Sequence, residues 1–547
     1  MTTPDATARR RLASVTAAAI GVLVAVGALV AVPLVELVRV ATEDGAGGIR
    51  DSLRAPGAPA AIVHTLVVAV AVTVLAVTGG TVAALAIERR SGRTRTLLRL
   101  LVAAPLVIPE FALGFAWSQA YGPAGLTDRA IHATVPGLLG PAGIVIVLTV
   151  HTLPLAYLAV TAGLAAHADP DTERAARVSG ASAWTALRTV TLPLMRTPLI
   201  AAAVLVFVSA VGAFAVPQVL GTPAGYATMS TLVYQDLALS AAPQAFRDLT
   251  AIALLMTVVV LLAVGSADLR SVASRPLAAR QPAGGRSVAA SSVALVSVIV
   301  AYSVVSIGVP MATLILAAIT RAPGLSPTPA NWTFTNVTAA FAGPTGAAIV
   351  HTLELALVVA VVVPLLGTLV SLVGRTRARV ATATTVTLAF AVPGSALAVG
   401  VLIGYGRWLT GSIAIILIAY VAKFWVLGHR PVQAGVDRLP PDTVRAARAS
   451  GAGPTTATVT VLLPAVRVAL ITASALAFLF ATHELTMSTI LYGPGSETFA
   501  VVVLGQQDLG NTAATAALAV ALTLPAAIIA AVLFAATRAG RSPTGPI

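Results

Sequence analysis

One polar, arginine-bearing segment occurs twice in this chain, and equivalent positions of the two copies are 271 residues apart. Residues 170–181 read PDTERAARVSGA and residues 441–452 read PDTVRAARASGA, so ten of twelve positions agree. Both copies contain a glycine, Gly180 or Gly451, and a proline thirteen positions later, Pro193 or Pro464. The chain is therefore built from two related halves, and its fold must place both segments equivalently. We call residues 170–193 loop A and residues 441–464 loop B.

The composition is that of a membrane protein. Hydrophobic residues make up 57% of the chain and charged residues 10%, with a mean hydropathy of +0.93. A soluble domain carries about 25% charged residues, so this chain cannot cover a water-exposed surface of ordinary polarity. The chain contains no cysteine, which excludes disulfides and thiolate metal sites.

Twelve apolar runs are long enough to cross a bilayer as helices of about 20 residues. They lie at roughly 12–40, 60–87, 97–119, 142–166, 197–220, 248–268, 288–320, 347–373, 380–404, 411–429, 465–492 and 512–537. An arginine-, proline- and glycine-containing linker at 269–287 separates a first half, 1–268, from a second half, 288–547. The sequence therefore predicts an all-α polytopic membrane protein with two six-helix repeats.

The basic residues predict the orientation, because cytoplasmic loops carry the excess of positive charge. With the N-terminus inside, 26 arginines fall on the cytoplasmic side, 7 fall outside, and Lys423 lies within a helix. Both termini, loop A and loop B are then cytoplasmic. Six spans in each half make the repeats parallel. The arginines form short clusters and no continuous basic face, so nucleic acid is not expected as a partner.

A second repeated motif opens the second helix of each half. Residues 62–66 read IVHTL, and so do residues 349–353. Two histidines at equivalent positions suggest a metal site. Hydrogen bonding of His64 and His351 at helix starts is the better interpretation, because duplication alone explains the pair. We predict no metal site, no cofactor and no catalytic residue.

The repeated segment has the composition of a short helix followed by a sharp turn. In loop A, Asp171 or Thr172 can cap a helix start, and Gly180 permits the left-handed turn that ends a helix. Residues 182–189 are compatible with a second short helix, and Pro193 marks the start of the next span. The small Ala175 and Ala176 leave a low ridge that fits a groove on a partner.

This segment resembles the EAA loop of ABC-importer permeases, whose pattern is Glu-Ala-Ala, three residues, Gly, nine residues, Ile, one residue, Leu-Pro. The matches are Ala175, Ala176, Gly180, Val190, Leu192 and Pro193 in loop A, and Ala446, Ala447, Gly451, Val461, Leu463 and Pro464 in loop B. The glutamate position holds Arg174 in loop A and Arg445 in loop B, and Glu173 stands one residue earlier in loop A. The resemblance implies that these residues couple the chain to an ATPase.

The resemblance also implies an architecture and partners. The fold would be that of a type I ABC importer, in the inner membrane of a bacterium. Two copies of an ABC ATPase would bind the loops, and an extracytoplasmic solute-binding protein would deliver the solute. A P-loop needs a lysine within Gly-x-x-x-x-Gly-Lys-Ser/Thr, and the single lysine, Lys423, follows Ala422 inside a membrane run. ATP hydrolysis is therefore expected on a separate chain.

The fusion of two halves resembles the permeases of ferric-iron uptake systems. The resemblance lies in residues 419–424, residues 430–435 and the stretch His483-Glu484-Leu485. It implies ferric iron as the solute, with thiamine or 2-aminoethylphosphonate as alternatives. A twelve-helix secondary transporter is the alternative from another class, but it leaves the two loop copies unexplained. A channel would need a selectivity-filter segment, and the sequence shows none.

Among the ionisable residues in predicted spans, where a charge costs about 2.5–3.5 kcal/mol on insertion scales, three lie close to a predicted helix break or end. Glu110 follows Pro109 in the third span, and His483 and Glu484 lie late in the eleventh. They are candidates for the lining of a translocation pathway. The alternative is a partly hydrated position near the outer interface, and for Glu110 the sequence favours neither.

Overall fold

The computed structural model describes residues 6–90, 92–167, 170–238, 240, 242–271, 293–373, 379–437 and 439–539. Within these ranges the regular structure is helical, and the one β-type pairing is an isolated bridge between Thr320 and Trp332. The predicted all-α class is confirmed. Most of the predicted linker, from residue 272 onward, lies outside the described residues.

The main helices of the first half are Ala6–Ala41, Ala58–Glu88, Gly92–Ala103, Glu110–Tyr121, Pro141–His167, Pro170–Val178, Arg196–Val211, Met229–Ala238 and Pro243–Ser271. Those of the second half are Val293–Ser303, Val309–Ile319, Thr345–Val373, Arg379–Ala391, Gly394–Leu409, Ile413–Asp437, Pro441–Ala449, Leu463–His483, Thr486–Leu491, Phe499–Asp508 and Thr512–Ala539. Short turns of 3₁₀- and π-helix connect several of them.

Among the described residues, nine helices are long and apolar enough to cross a membrane. Three further helix pairs are bent by 97°, 69° and 105° at a short break, and counting each pair as one span gives twelve. The bent pairs lie at 92–131, 183–211 and 385–409, where the sequence predicts the third, fifth and ninth spans. Proline explains two of the breaks, because Pro109 and Pro393 stand directly before the helices that resume there.

The helices form two compact units that cut across the two halves of the sequence. One unit comprises residues 1–49, 341–505 and 524–547, and the other comprises residues 50–340 and 506–523. The first helix of each half packs in the unit that the other half mainly builds. Ala6–Ala41 lies against Gly394–Leu409 in the first unit, and Val309–Ile319 lies against Glu110–Tyr121 in the second. The repeat and the packing are therefore different divisions of the chain.

In each unit the second and fourth membrane helices of one half cross at a glycine. A Cβ atom on Gly80 would lie 2.8 Å from the backbone nitrogen of Tyr157. A Cβ atom on Gly367, 287 residues later, would lie 2.4 Å from the backbone nitrogen of His429. Real Cβ atoms do not approach so closely, so glycine sets the helix separation at both crossings.

We expect Gly80→Ala and Gly367→Ala to lower the apparent melting temperature, because the added methyl group forces packed backbones apart at a cost of about 1–3 kcal/mol. Gly265→Ala is the matched control, since a Cβ there meets nothing within 4 Å and alanine favours a helix. Thermal unfolding of the detergent-purified protein, followed by tryptophan fluorescence, measures all three. Equal melting temperatures for the three variants would contradict this account of the crossings.

Candidate functional site

Loop A folds as a helix closed by a left-handed glycine. The helix Pro170–Val178 ends in a turn at Gly180, whose φ is +92°. Beyond it, the Ala181 N–H donates to the Ala176 carbonyl at 3.0 Å. This six-to-one bond across a left-handed residue is the Schellman arrangement, which satisfies carbonyls at a helix end. The turn predicted at Gly180 is confirmed.

Loop B ends in the same left-handed turn. Its helix Pro441–Ala449 ends at Gly451, whose φ is +88°, and the Ala452 N–H donates to the Ala447 carbonyl at 3.0 Å. The serine before the glycine also behaves alike in the two loops. The hydroxyl groups of Ser179 and Ser450 each donate to the carbonyl four residues earlier at 3.0 Å. The two segments are therefore duplicated in structure as well as in sequence.

The second part of each loop is also helical, with a π-type turn. In loop A the helix Ala183–Ala186 begins at Ser182, whose hydroxyl accepts from the Thr185 N–H at 3.1 Å. A π-turn then runs over Leu187–Thr191, and its counterpart in loop B runs over Thr458–Leu462. The predicted short helix over 182–189 is thus present in part. Both π-turns directly precede the Leu-Pro of the motif.

The ridge of each loop is accessible. Ala175 and Ala446 are exposed, and Ala176 and Ala447 are half-buried. Loop A also exposes two larger apolar side chains, since Val178 is 89% and Trp184 is 66% exposed. Arg174 is exposed and pairs with Asp171 at 3.0 Å. The side chain of Arg445 lies outside the described residues.

Glu173 connects loop A to the second membrane helix. An Nη atom of Arg89, the residue after Ala58–Glu88, donates to both carboxylate oxygens of Glu173 at 3.1 Å. The Thr191 hydroxyl donates to the same carboxylate at 3.2 Å. Since the pair is partly exposed, its net contribution to stability is about 0–1 kcal/mol. The sequence placed Glu173 among the ATPase-coupling residues, and its contacts within the chain hold the loop helix in place.

Loop B has a different attachment, because Val444 and Leu462 occupy the positions of Glu173 and Thr191. Leu462 is buried in an apolar cluster with Val432, Val436 and Val466. The polar contact of loop A is thus replaced by hydrophobic packing in loop B.

The repeated His-Thr motif holds the start of a later helix in each half. The Nδ1 atom of His64 hydrogen-bonds the Ala227 carbonyl at 2.9 Å, and the Thr65 hydroxyl accepts from the Met229 N–H at 2.8 Å. Met229 begins the helix Met229–Ala238. The hydrogen-bonding interpretation of His64 is confirmed.

The second copy of the motif makes the same two bonds. His351 Nδ1 bonds the Glu497 carbonyl at 3.1 Å, and the Thr352 hydroxyl accepts from the N–H of Phe499, which begins Phe499–Asp508, at 2.8 Å. Sequence reasoning missed the role of Thr65 and Thr352, although both belong to the repeated pentapeptide. A hydroxyl group that recurs beside each histidine could have indicated a second hydrogen bond.

The predicted pathway residues lie at breaks between helices. Glu110 begins the helix Glu110–Tyr121, is half-buried, and accepts from the Val216 N–H at 3.1 Å. His483 ends the helix Leu463–His483, and the half-buried Glu484 follows it in the break. Glu484 accepts from the Met487 N–H at 2.9 Å. His483 and Glu484 share one unit, whereas Glu110 belongs to the other.

Lys423 lies in the unit of Glu484. Its ammonium group donates to the carbonyl of Val392, at the break between Arg379–Ala391 and Gly394–Leu409. Lys423 thus satisfies a backbone carbonyl that the broken helix leaves free.

Comparison with known proteins agrees with this duplicated architecture. The family model described as "Binding-protein-dependent transport system inner membrane component" matches residues 76–275 and 363–539, which is more than half of the chain. The two matches start 287 residues apart, the same separation as His64 and His351.

Curated relatives share about a third of their residues with this chain over the matched regions. The molybdenum transport system permease protein ModB of Mycobacterium tuberculosis is 34% identical over 161 residues, 29% of this chain and 60% of the relative. ModB of Azotobacter vinelandii is 33% identical over 166 residues, 30% of this chain and 72% of the relative. The probable ABC transporter permease protein y4fN of Sinorhizobium fredii is 33% identical over 132 residues, 23% of each chain. The match spans less than two thirds of the mycobacterial ModB. With both family matches in place, the chain belongs to the inner membrane components of binding-protein-dependent transport systems.

Proposed function

We propose that this chain is the transmembrane unit of an ATP-driven importer, with both permease halves, 1–268 and 288–547, in one polypeptide. The observation that supports this most strongly is that loop A and loop B end in the same turn, with equivalent hydrogen bonds at Ala181 and Ala452 and at Ser179 and Ser450. A two-fold symmetric ATPase dimer requires two equivalent docking elements. An ordinary pair of arginine-rich connectors has no reason to keep the same turn at Gly180 and Gly451 and the same exposed alanine ridge.

In this proposal each loop docks in a cleft of one ATPase subunit. The alanine pairs allow close approach, and Arg174 to Gly180 and Arg445 to Gly451 form the contact segments. ATP binding closes the ATPases, draws the loops together and opens the halves outward to accept solute. Val178 and Trp184 add apolar contact area in loop A, where burial of exposed apolar surface favours association.

The orientation follows from the positive charge of the loops. Both termini and both loops lie in the cytoplasm, and the chain resides in the inner membrane of a bacterium. An extracytoplasmic solute-binding protein then meets the opposite face, in keeping with the description of the family. A secondary transporter is disfavoured, because it couples transport to free intramembrane carboxylates, whereas Glu110 and Glu484 are bonded to backbone N–H groups.

The first candidate solute is a molybdenum oxyanion, because relatives from Mycobacterium and Azotobacter carry molybdenum in their names. The matches to these two relatives cover 161 and 166 residues. The match to y4fN covers 23% of each chain, and the name of y4fN gives no solute. Ferric iron is the second candidate, since the fused layout resembles iron permeases. The two ions have opposite charges and need different binding proteins.

Docking can be tested by cross-linking, because the chain has no native cysteine. We expect Ala176→Cys and Ala447→Cys to cross-link to cysteines in the cleft of the ATPase encoded beside this permease. The yield should change between ATP-bound and nucleotide-free states, since closure of the ATPases moves the loops. Ser326→Cys, in a predicted outer loop, is the control and should give no cross-link. Absence of nucleotide-sensitive cross-links at both loop positions would count decisively against the proposal.

The loop turns can be tested without altering a contact. A Cβ atom at Gly180 or Gly451 meets nothing within 4 Å, so alanine there changes backbone conformation alone, at a cost of about 1–2 kcal/mol for a left-handed residue. We expect Gly180→Ala and Gly451→Ala to lower ATP-driven uptake several-fold while ATP hydrolysis falls less. Asparagine should restore part of the uptake, because it tolerates this conformation. Gly453→Ala, equally open but without positive φ, is the matched control.

Solute choice is tested with proteoliposomes that contain the permease, its neighbouring ATPase and the neighbouring binding protein. We expect ATP-dependent accumulation of radiolabelled molybdate and none of ferric iron. Accumulation of iron alone would overturn the first candidate solute and leave the importer intact. Transport of either ion without the ATPase, collapsing with the proton gradient, would overturn the importer itself.

A further inference from the structure

The fifth membrane helix of each half ends in the same break. Arg196–Val211 is followed by a turn residue, Gly212, and by two residues without regular structure, Ala213 and Phe214, after which the chain is helical again from residue 215. Leu463–His483 is followed by Glu484 and Leu485, and the helix resumes at Thr486. Residues 213–216 and 484–487 stand 271 positions apart, the spacing of the loop motif. The two breaks are therefore equivalent.

In each half a carboxylate binds the N–H of the second residue after the break. Val216 donates to Glu110 at 3.1 Å. Met487, its equivalent, donates to Glu484 at 2.9 Å, and Ser488 donates to the same carboxylate at 3.1 Å. A resumed helix begins with N–H groups that have no partner within the helix, and an anionic acceptor near that end is favourable.

The two carboxylates come from different parts of the chain. Glu110 belongs to the third membrane span and faces the break across the unit, whereas Glu484 lies within the break itself. Each carboxylate is absent from the equivalent position of the other half. Ala213 occupies the first-half position equivalent to Glu484. Gly394, which follows Pro393, occupies the second-half position equivalent to Glu110, which follows Pro109. Each half thus keeps one carboxylate at this point and lacks the other.

The facing helix is close enough to serve in either half. In the second half, a Cβ atom on Gly394 would lie 3.8 Å from side-chain atoms of both Thr486 and Met487. In the first half, a Cβ atom on Gly114 would lie 3.2 Å from a methyl group of Val216. The start of the third-span helix therefore packs on the resumed segment in both units, and a glutamate at 394 has the N–H of Met487 within reach.

The second-half break is embedded in further polar contacts. The Tyr420 hydroxyl lies 2.6 Å from the Ser488 hydroxyl, and Ser488 in turn donates to the Glu484 carbonyl at 3.1 Å. Both carboxylate oxygens of Glu484 accept from backbone N–H groups of the chain that follows, at Met487 and Ser488. A carboxylate engaged in this way fixes the geometry of that backbone.

We propose that Glu110 and Glu484 are equivalent positioning residues, each holding the helix that resumes after the fifth span in the one conformation that transport requires. This inference rests on the proposed permease function. Membrane-embedded N–H groups need an internal acceptor, so loss of either carboxylate lets the resumed turn open. The pathway role predicted for these glutamates is then indirect, through the backbone they hold.

The chain supplies its own rescue experiment. Glu484→Ala removes the acceptor, and Glu484→Ala combined with Gly394→Glu places it where the first half has it. Glu110→Ala and its combination with Ala213→Glu are the mirror pair. Glu354→Ala is the control, because Glu354 is an exposed glutamate of a membrane helix. Two readouts are taken on the reconstituted complex: hydrogen–deuterium exchange of peptides covering 213–221 and 484–491, and ATP-driven uptake of molybdate and ferric iron.

We expect each single alanine variant to exchange at least about tenfold faster in its own segment and to lose about tenfold in uptake, since an opened N–H exchanges freely. The relocated glutamate in the double variants should restore both readouts to within about threefold of the parent. Glu484→Gln should fall between, because its amide oxygen still accepts one hydrogen bond. Glu354→Ala should change neither readout.

Double variants that fold, judged by melting temperature, but exchange as fast as the single variants would overturn the proposal. An alanine variant with unchanged exchange and a raised KM for solute would also overturn it, in favour of direct solute contact. Uptake by the parent complex that persists without the ATPase would refute the proposed importer function, and the exchange data would still report on the carboxylates.

Discussion

A backbone that breaks inside a bilayer must find its hydrogen-bond partners within the protein. This chain breaks its helices at Pro109, at Pro393 and after each fifth span. Side chains meet the exposed groups: Lys423 reaches the Val392 carbonyl, and the two glutamates reach N–H groups. Lys423, Glu110 and Glu484 are accounted for in this way. All three bond to backbone groups at points where a helix ends or resumes.

Duplication gives these solutions in pairs, and the pairs differ in how closely they match. The His-Thr motif holds its helix start by the same two bonds in both halves. The attachments of loop A and loop B differ, with an ion pair at Glu173 in one and a buried Leu462 in the other. The carboxylates at the breaks share a target and differ in origin. Selection on an internal contact is satisfied by any group that fills the need.

Much of this was accessible from the sequence, and the remainder has identifiable physical causes. Hydropathy and the repeated loop predicted the helical class, the twelve candidate spans and the left-handed turn at Gly180, because each depends on local composition and spacing. The packing of Ala6–Ala41 with the second half was not predictable, since the sequence of an apolar helix does not specify which helix it packs against. The hydrogen bond between the Val216 N–H and Glu110 joins residues 106 positions apart, and no local sequence pattern near either residue predicts it.

The two kinds of duplication separate surface from interior. Loop A and loop B keep the same helix, turn, serine bond and alanine ridge, although the residues behind them have diverged to the point of exchanging charge for hydrophobic packing. A buried side chain is constrained only by the residues that it contacts, so equivalent buried sites in the two halves can differ in sequence when the contacting residues change together. An accessible ridge has no neighbour within the chain to preserve it. Its retention in two copies agrees with the proposed docking of the two loops on a symmetric pair of ATPase subunits.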